Sequence, residues 1–415
     1  MNEAVKIISK SRPGGWLPSD EAVLSAFRAE IEAEVVAHPG RPLVRPVLAL
    51  YDCIMDEPLY RMHLTQAIEQ ARAAGYKLGY ADIDGLMHRI NAVMHYAPPF
   101  STSELVGCPL NALLDWPMCM PSGFAFFQFP AINEKLRDVL NYWSAFLSGP
   151  NSRTYLNTEN PKGWFSSTAA TKVNMSEFIC DPDQPHWGYG SWNDFFTRQF
   201  KPGQRPVASP DNPLVVTAAC ESGPYALQTG VKMQDKFWIK AQPYSLGDMF
   251  SADRSDLADL FAGGTVYQAF LSAYNYHRWH APVAGTVTDA YIVPGTYYAD
   301  APSEGLDPAG PNNSQGFITA VATRAVMVID TGHPVLGKVG CIFVGMAEIS
   351  SCVFEVKIGQ KLDKGDEIGY FQYGGSTHCL IFQPNVKLDF LPPQPYGVDD
   401  PEIVPLNSAL ANVTV

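Results

Sequence analysis

The chain has 415 residues, with 29 Lys+Arg against 42 Asp+Glu and a formal net charge of −13. With 46% hydrophobic and 17% charged residues it reads as a folded globular protein of two or three domains, at about 100–200 residues per domain, and intrinsic disorder is excluded as its main state. The acidic balance also excludes a nucleic-acid binder and docking on anionic lipid by charge, because no basic stripe is available to meet phosphate.

No run approaches the roughly 18–20 apolar residues of a membrane-spanning helix. Met1–Asp20 places Lys6, Lys10, Arg12 and Pro13 where an export signal would be apolar. A cytoplasmic protein without stable membrane insertion is expected. The eight cysteines are scattered without a CxxC pair, which suits reduced, buried thiols better than a disulfide framework; no metal site is expected.

In chain order, Asp20–Val36 spaces Val23, Phe27, Ile31 and Val35 as a helix does, behind an Asp cap. Leu59–Ala74, Ile83–His95 and Asn133–Leu147 repeat the pattern, the last with Leu136, Leu140, Trp143 and Leu147 on one face. Between them, Pro109, Pro117 and Pro121 break an apolar stretch into a buried loop or short helices. After about Pro185 the chain becomes rich in Gly, Pro and short β-branched runs: Leu214–Thr217, Gly264–Leu271, Gly285–Val293, Phe317–Ile329 and Gly340–Val344. The expected fold is α+β, with a helical N-terminal domain (1–185) followed by a β-rich, mainly antiparallel domain (186–415). Residues 300–316 read as the one long flexible loop.

Three places concentrate reactive groups. Tyr276-His277-Arg278-Trp279-His280 carries two histidines three apart; on a strand they face opposite ways, which disfavours a shared metal. A structural pair of histidines is the plain alternative. Gly374-Gly375-Ser376-Thr377 sets a hydroxyl beside an unshielded carbonyl, and is otherwise a turn between strands. Cys220-Glu221-Ser222 follows a strand with a carboxylate able to orient a histidine, or with a surface glutamate. The chain has no GxSxG of a serine hydrolase.

Taken as an ordered set, these segments resemble the phosphatidylserine decarboxylase family. The residues that carry the likeness are Phe195–Pro206 (FFTRQFKPGQRP), Tyr244-Ser245-Leu246, Tyr276–Val287 (YHRWHAPVAGTV), Val293-Pro294-Gly295, Val344-Gly345-Met346 and Lys364–Thr377 (KGDEIGYFQYGGST). Trp143–Arg153 (WSAFLSGPNSR), Gly163-Trp164, Ile179-Cys180-Asp181, Tyr189-Gly190, Thr217–Ser222 (TAACES) and Phe343–Ser350 (FVGMAEIS) are similar to the soluble branch of that family, which includes fungal L-tryptophan decarboxylases.

The resemblance implies a pyruvoyl enzyme that makes its own cofactor and needs no pyridoxal phosphate. Ser376 Oγ would attack the Gly375 carbonyl, and elimination and hydrolysis would leave a covalent pyruvoyl group at position 376, with the two fragments remaining associated. A Schiff base with the substrate amine would then precede loss of CO2. His280 matches the position of the base, Glu221 (or Cys220) that of its usually Asp partner, and His277 a position near the pyruvoyl group, where it would return the proton. Glu348 stands where the membrane enzymes have an apolar residue; it is a candidate contact to the substrate or its ammonium group, alongside Met346. Phe124, in the Met118–Phe124 segment, is a candidate wall for an aromatic substrate. The expected substrate is a free amino acid, L-tryptophan first. The alternatives are phosphatidylserine itself and a non-cleaving binding homologue; a carrier domain is disfavoured because no lysine-bearing hairpin tip appears.

Overall fold

The structure is a computed structural model and describes residues 21–101, 108–235, 244–272, 274–299, 314–348, 351–391, 396 and 402–414. The N-terminal half is helical: α1 (Glu21–Ala37), α2 (Arg45–Asp56), α3 (Pro58–Ala73), α4 (Ile83–Val93), α5 (Pro109–Met118), α6 (Pro121–Phe126), α7 (Pro130–Leu147), α8 (Ser167–Lys172) and α9 (Trp192–Phe196). The four helices expected from apolar spacing form within a few residues of their expected ends. Helix α2, which buries Val47, Leu50 and Ile54 at helical spacing, lies in a segment for which no element was expected. The proline-broken stretch becomes α5 and α6, both starting on a proline whose missing N–H is no loss in a first turn.

Among the described residues the second half holds α10 (Leu246–Phe250), α11 (Ser255–Phe261) and α12 (Gln315–Val321) beside thirteen strands. These are β1 (Val215–Thr217), β2 (Gly223–Thr229), β3 (Thr265–Leu271), β4 (Arg278–His280), β5 (Gly285–Val293), β6 (Arg324–Asp330), β7 (Lys338–Gly345), β8 (Ser351–Phe354), β9 (Lys361–Leu362), β10 (Glu367–Gln372), β11 (Ser376–Phe382), β12 (Lys387–Phe390) and β13 (Ala409–Thr414). Seven form one sheet in the order β2-β3-β11-β7-β6-β5-β9; two three-stranded sheets, β4-β10-β8 and β1-β13-β12, complete an α+β fold in which every strand pair is antiparallel. The run Phe317–Ile329, expected as one strand, divides. Its first residues belong to α12, whose Phe317 and Ile318 are buried, and only Arg324 onward joins the sheet. Most of the expected 300–316 loop lies outside the described residues.

The large sheet is buried on both faces around its central strand, since all seven residues of β11 are buried. Cys379 and Ile381 pack into a core that continues through Val344 and Ile342 to Trp143, Leu136 and Phe27 of the helices, whereas Leu380 and Phe382 join Trp279, Phe343 and Cys341 on the opposite face. Period-two alternation thus divides β11 between two cores. Each fully buried Leu, Ile or Phe contributes roughly 1.5–3 kcal/mol, so the helical half and the sheet are held by one shared apolar body.

Candidate active site

The reactive segments meet because the chain passes twice between the large sheet and the small sheet along one path. Strand β3 leaves the large sheet and leads to β4; β10, paired with β4, returns through Tyr373-Gly374-Gly375 into β11, which lies beside β3. Gly374 makes the return at φ 131°, a backbone conformation that L side chains rarely adopt. Ser376 therefore begins β11 between Leu271 of β3 and Gly345 of β7, and His277 lies just ahead of β4.

The two side chains face each other. Ser376 Oγ is 3.5 Å from His277 Nδ1, and both residues are fully buried. The imidazole is fixed by ring stacking on Phe196 (centroids 4.0 Å apart) and by its backbone carbonyl, which accepts from Phe371 N–H at 3.0 Å. On the other side of the serine, the Gly375 carbonyl accepts a hydrogen bond from Met346 N–H at 3.0 Å. Met346 opens a turn whose next residue, Ala347, has φ 51°, a left-handed conformation unusual for alanine. A hydroxyl, an imidazole and a polarised carbonyl thus converge on one peptide bond.

The contact expected of His280 is made by His277 instead. Strand alternation explains this: His277 and Trp279 face one way, and Tyr276, Arg278 and His280 the other. His280 Nδ1 lies 2.7 Å from the Gly365 carbonyl and Nε2 lies 3.0 Å from the Tyr276 hydroxyl, so neither ring nitrogen faces Ser376. Burial holds the His280 pKa below its usual value, favouring the neutral ring. Glu221 also departs from expectation. Its carboxylate receives Arg205 Nη2 at 2.6 Å, Arg205 Nε at 3.0 Å and Leu406 N–H at 2.6 Å, and Arg205 joins Glu177 as well. This ion pair ties the loop before β1 to the C-terminal segment, and His280 is oriented by a backbone carbonyl. Cys220 is fully buried, and burial pushes its thiol pKa well up.

Glu348 lies two residues beyond Met346 and is 1% exposed. Its Oε1 accepts Asn111 N–H at 2.8 Å, with Leu110 N–H and the Cys108 side chain also hydrogen-bonded to the carboxyl, so it caps the N-terminus of α5. Burial drives its pKa well above the usual carboxyl range despite those donors. Met346 itself is buried, its backbone N–H being the group that acts on Gly375. Phe124 is half-buried, its ring 5.9 Å from Phe317; Met118 and Met120 are core residues.

Other contributors went unassigned in the sequence. Phe196 lies in the FFTRQF run, but its role as a platform for His277 needs the third dimension. Tyr373, ahead of Gly374, is held edge-on by Trp143 and Trp192 at 5.2 and 4.3 Å. Tyr298 lies against Phe127, and burial pushes the pKa of both phenols well up. Among the described residues, no group of three His, Cys, Asp or Glu is placed to hold a metal ion, and no helix is long and apolar enough to cross a membrane.

Residues 192–395 match the family model described as phosphatidylserine decarboxylase, and residues 44–173 match a second model of the same description. The chain is 38% identical over 327 residues to Decarboxylase iboD of Amanita muscaria, covering 74% of this chain and 91% of that one. It is 29% identical over 403 residues to the L-tryptophan decarboxylase of Psilocybe cubensis, covering 91% and 90% respectively. Phosphatidylserine decarboxylase proenzyme 3 of Schizosaccharomyces pombe is 33% identical over 217 residues, 52% of this chain and 20% of that one. Fold, site and relatives together define a carboxy-lyase. The chain belongs to the phosphatidylserine decarboxylase family, on a branch like the L-tryptophan decarboxylases.

Proposed function

We propose that the chain cleaves itself between Gly375 and Ser376 and, with the pyruvoyl group so formed, decarboxylates a free aromatic L-amino acid, L-tryptophan first, to its amine and CO2. The observation that carries this reading is the convergence of Ser376 Oγ, His277 Nδ1 and the Gly375 carbonyl held by Met346 N–H.

His277 takes the hydroxyl proton as Ser376 Oγ attacks the Gly375 carbonyl carbon. Met346 N–H, already on that oxygen, stabilises the negative charge that develops there. The acyl group moves from nitrogen to oxygen. Elimination then releases Gly375 as a carboxylate, and water hydrolyses the remaining enamine nitrogen to ammonia. The residues fit the group, because Ser376 heads a buried strand and its new terminus would stay in place: β11 is paired along its whole length with β3 and β7, which keeps the fragments associated. When formed, a pyruvoyl group supplies a carbonyl that bonds the substrate amine and accepts the electrons released with CO2. His277, beside that position, returns the proton to the substrate carbon; His280 supports the site by anchoring β4 to the Gly365 carbonyl. Glu348 contacts the substrate, and Phe124 lines the outer part of its path.

Support for a free amino acid as substrate comes from the names of relatives that align over nine-tenths of this chain. A cytosolic setting suits such a substrate. The test is amine formation from L-tryptophan, L-tyrosine and L-phenylalanine, with dispersed phosphatidylserine alongside and Ser376→Ala as the blank. Tryptamine from the wild type alone is expected; phosphatidylethanolamine with no free amine would overturn the substrate.

A further inference from the structure

The Tyr244-Ser245-Leu246 motif has no part in the chemistry above, yet its tyrosine is linked to the residue that follows the reactive serine. The link is Gln268, in the middle of β3, flanked on its own face by Val266 and Phe270 and paired across to Cys379, all core residues. Gln268 Oε1 accepts the Tyr244 hydroxyl, and Nε2 donates to Thr377 Oγ1 at 3.0 Å and to the Gln315 carbonyl, at the start of α12, at 3.2 Å. The Thr377 hydroxyl in turn donates to the Ala269 carbonyl at 2.9 Å. Gln268 and Thr377 are 0% exposed and Tyr244 3%. The bonds run one way, from Tyr244 through Gln268 and Thr377 to the backbone, and every side-chain donor among them is used. Apolar residues of the same shape in place of such a buried network are close to neutral for stability. Stability therefore does not account for it, and its position does.

Thr377 follows Ser376 directly. By strand alternation its side chain points to the helical side of the sheet, while Ser376 Oγ points to His277. Backbone bonds to β3 and β7 hold β11 in the plane of the sheet. A side-chain anchor across that plane stops the strand rolling about its own axis, the motion that would carry Ser376 Oγ away from His277 Nδ1. We propose that Tyr244, Gln268 and Thr377 are positioning residues that clamp the start of β11, aiming Ser376 before the cut and keeping position 376 in the site afterwards, when it has become a chain end. Chain ends fray unless they are tied down. This rests on the self-cleavage reading above and deepens it.

The experiment uses Thr377→Val, which nearly keeps the shape of threonine, and the apolar triple variant Tyr244→Phe, Gln268→Met, Thr377→Val, with Thr377→Ser as the rescue. Cleavage time courses and melting curves are measured for each, and amide hydrogen exchange along β11 is measured with the same changes placed in a Ser376→Ala background. Expected is cleavage slowed about tenfold or more in both apolar variants, since a misplacement of ~1 Å can cost about 100-fold. Their melting temperatures should stay near that of the parent, Thr377→Ser should cleave as the parent does, and exchange should quicken at the start of β11 and not across the sheet. Apolar variants that cleave at the parent rate, or that slow only as far as they lose stability, would overturn the clamp. Exchange keeps the two claims apart. A local rise at the start of β11 in a chain that never cleaves would preserve the clamp and refute self-cleavage, whereas no local rise refutes the clamp whether or not the chain cleaves.

Discussion

Ser376 Oγ and His277 Nδ1 stand 3.5 Å apart although 99 positions separate them in the chain. Two antiparallel crossings bring them together, and the alternation of β4 turns His277, not His280, toward the serine. His277→Ala should therefore slow self-cleavage by about 10²–10⁴-fold, the usual contribution of a positioned base. His280→Asn should slow it less, since it loosens an anchor. Time courses of cleavage in freshly translated protein check this; an unaffected rate in His277→Ala would refute the assignment.

Glu221 is largely buried in a bidentate pair with Arg205 and also accepts Leu406 N–H. Glu221→Ala leaves Arg205 paired with Glu177 alone and Leu406 N–H without its acceptor, and should cost about 1–3 kcal/mol of stability. Glu221→Gln retains acceptor capacity and should still cleave. Chemical denaturation together with a cleavage assay separates the two effects; a folded Glu221→Gln protein that cannot cleave would restore Glu221 to the chemistry.

The turn at Met346-Ala347 and the return at Gly374 fix the carbonyl that is attacked. Ala347→Val should cost about 1–3 kcal/mol, because a β-branched residue is forced into the left-handed region, and it should slow cleavage by shifting Met346 N–H. Gly374→Ala should do likewise at φ 131°, whereas Ala347→Gly should leave cleavage intact. Melting curves and cleavage rates check the trio.

Burial raises the Glu348 pKa in the folded chain above its unfolded value. The folded state then holds a proton that the unfolded state has lost. Its stability contribution is full below the ordinary carboxyl range and is lost as pH rises through the folded pKa, by at most about 1.4 kcal/mol per pH unit. Glu348→Gln mimics the protonated acid and lacks this loss. In a Ser376→Ala background its unfolding free energy should exceed that of the parent increasingly as pH rises from 5 to 8. His280 runs the other way: its lowered pKa means stability lost as pH falls below 6.5. A constant gap between the two proteins would show Glu348 to be ionised throughout.

Much of the fold was legible because apolar spacing is local. The helical positions of Phe27, Leu136 and Trp143 follow from period, and the bounds of Gly285–Val293 from a β-branched run between Gly and Pro turn signals. The division of Phe317–Ile329 did not, since β-branched residues mark a strand while burial of Phe317 and Ile318 on a short helix is a tertiary matter. Ser376 and Gly375 were legible as a reactive pair. The choice between His277 and His280 was not, because it depends on which strand face meets a neighbour. The partner of Glu348 is Asn111, 237 positions away, and no local pattern connects the two.

The central claim is tested most directly by the intact mass of the purified protein under denaturing conditions. The account predicts two polypeptides, one ending at Gly375 and the other running from position 376 to Val415 with a pyruvoyl group in place of its amino terminus. A single unbroken chain of 45.5 kDa would contradict it.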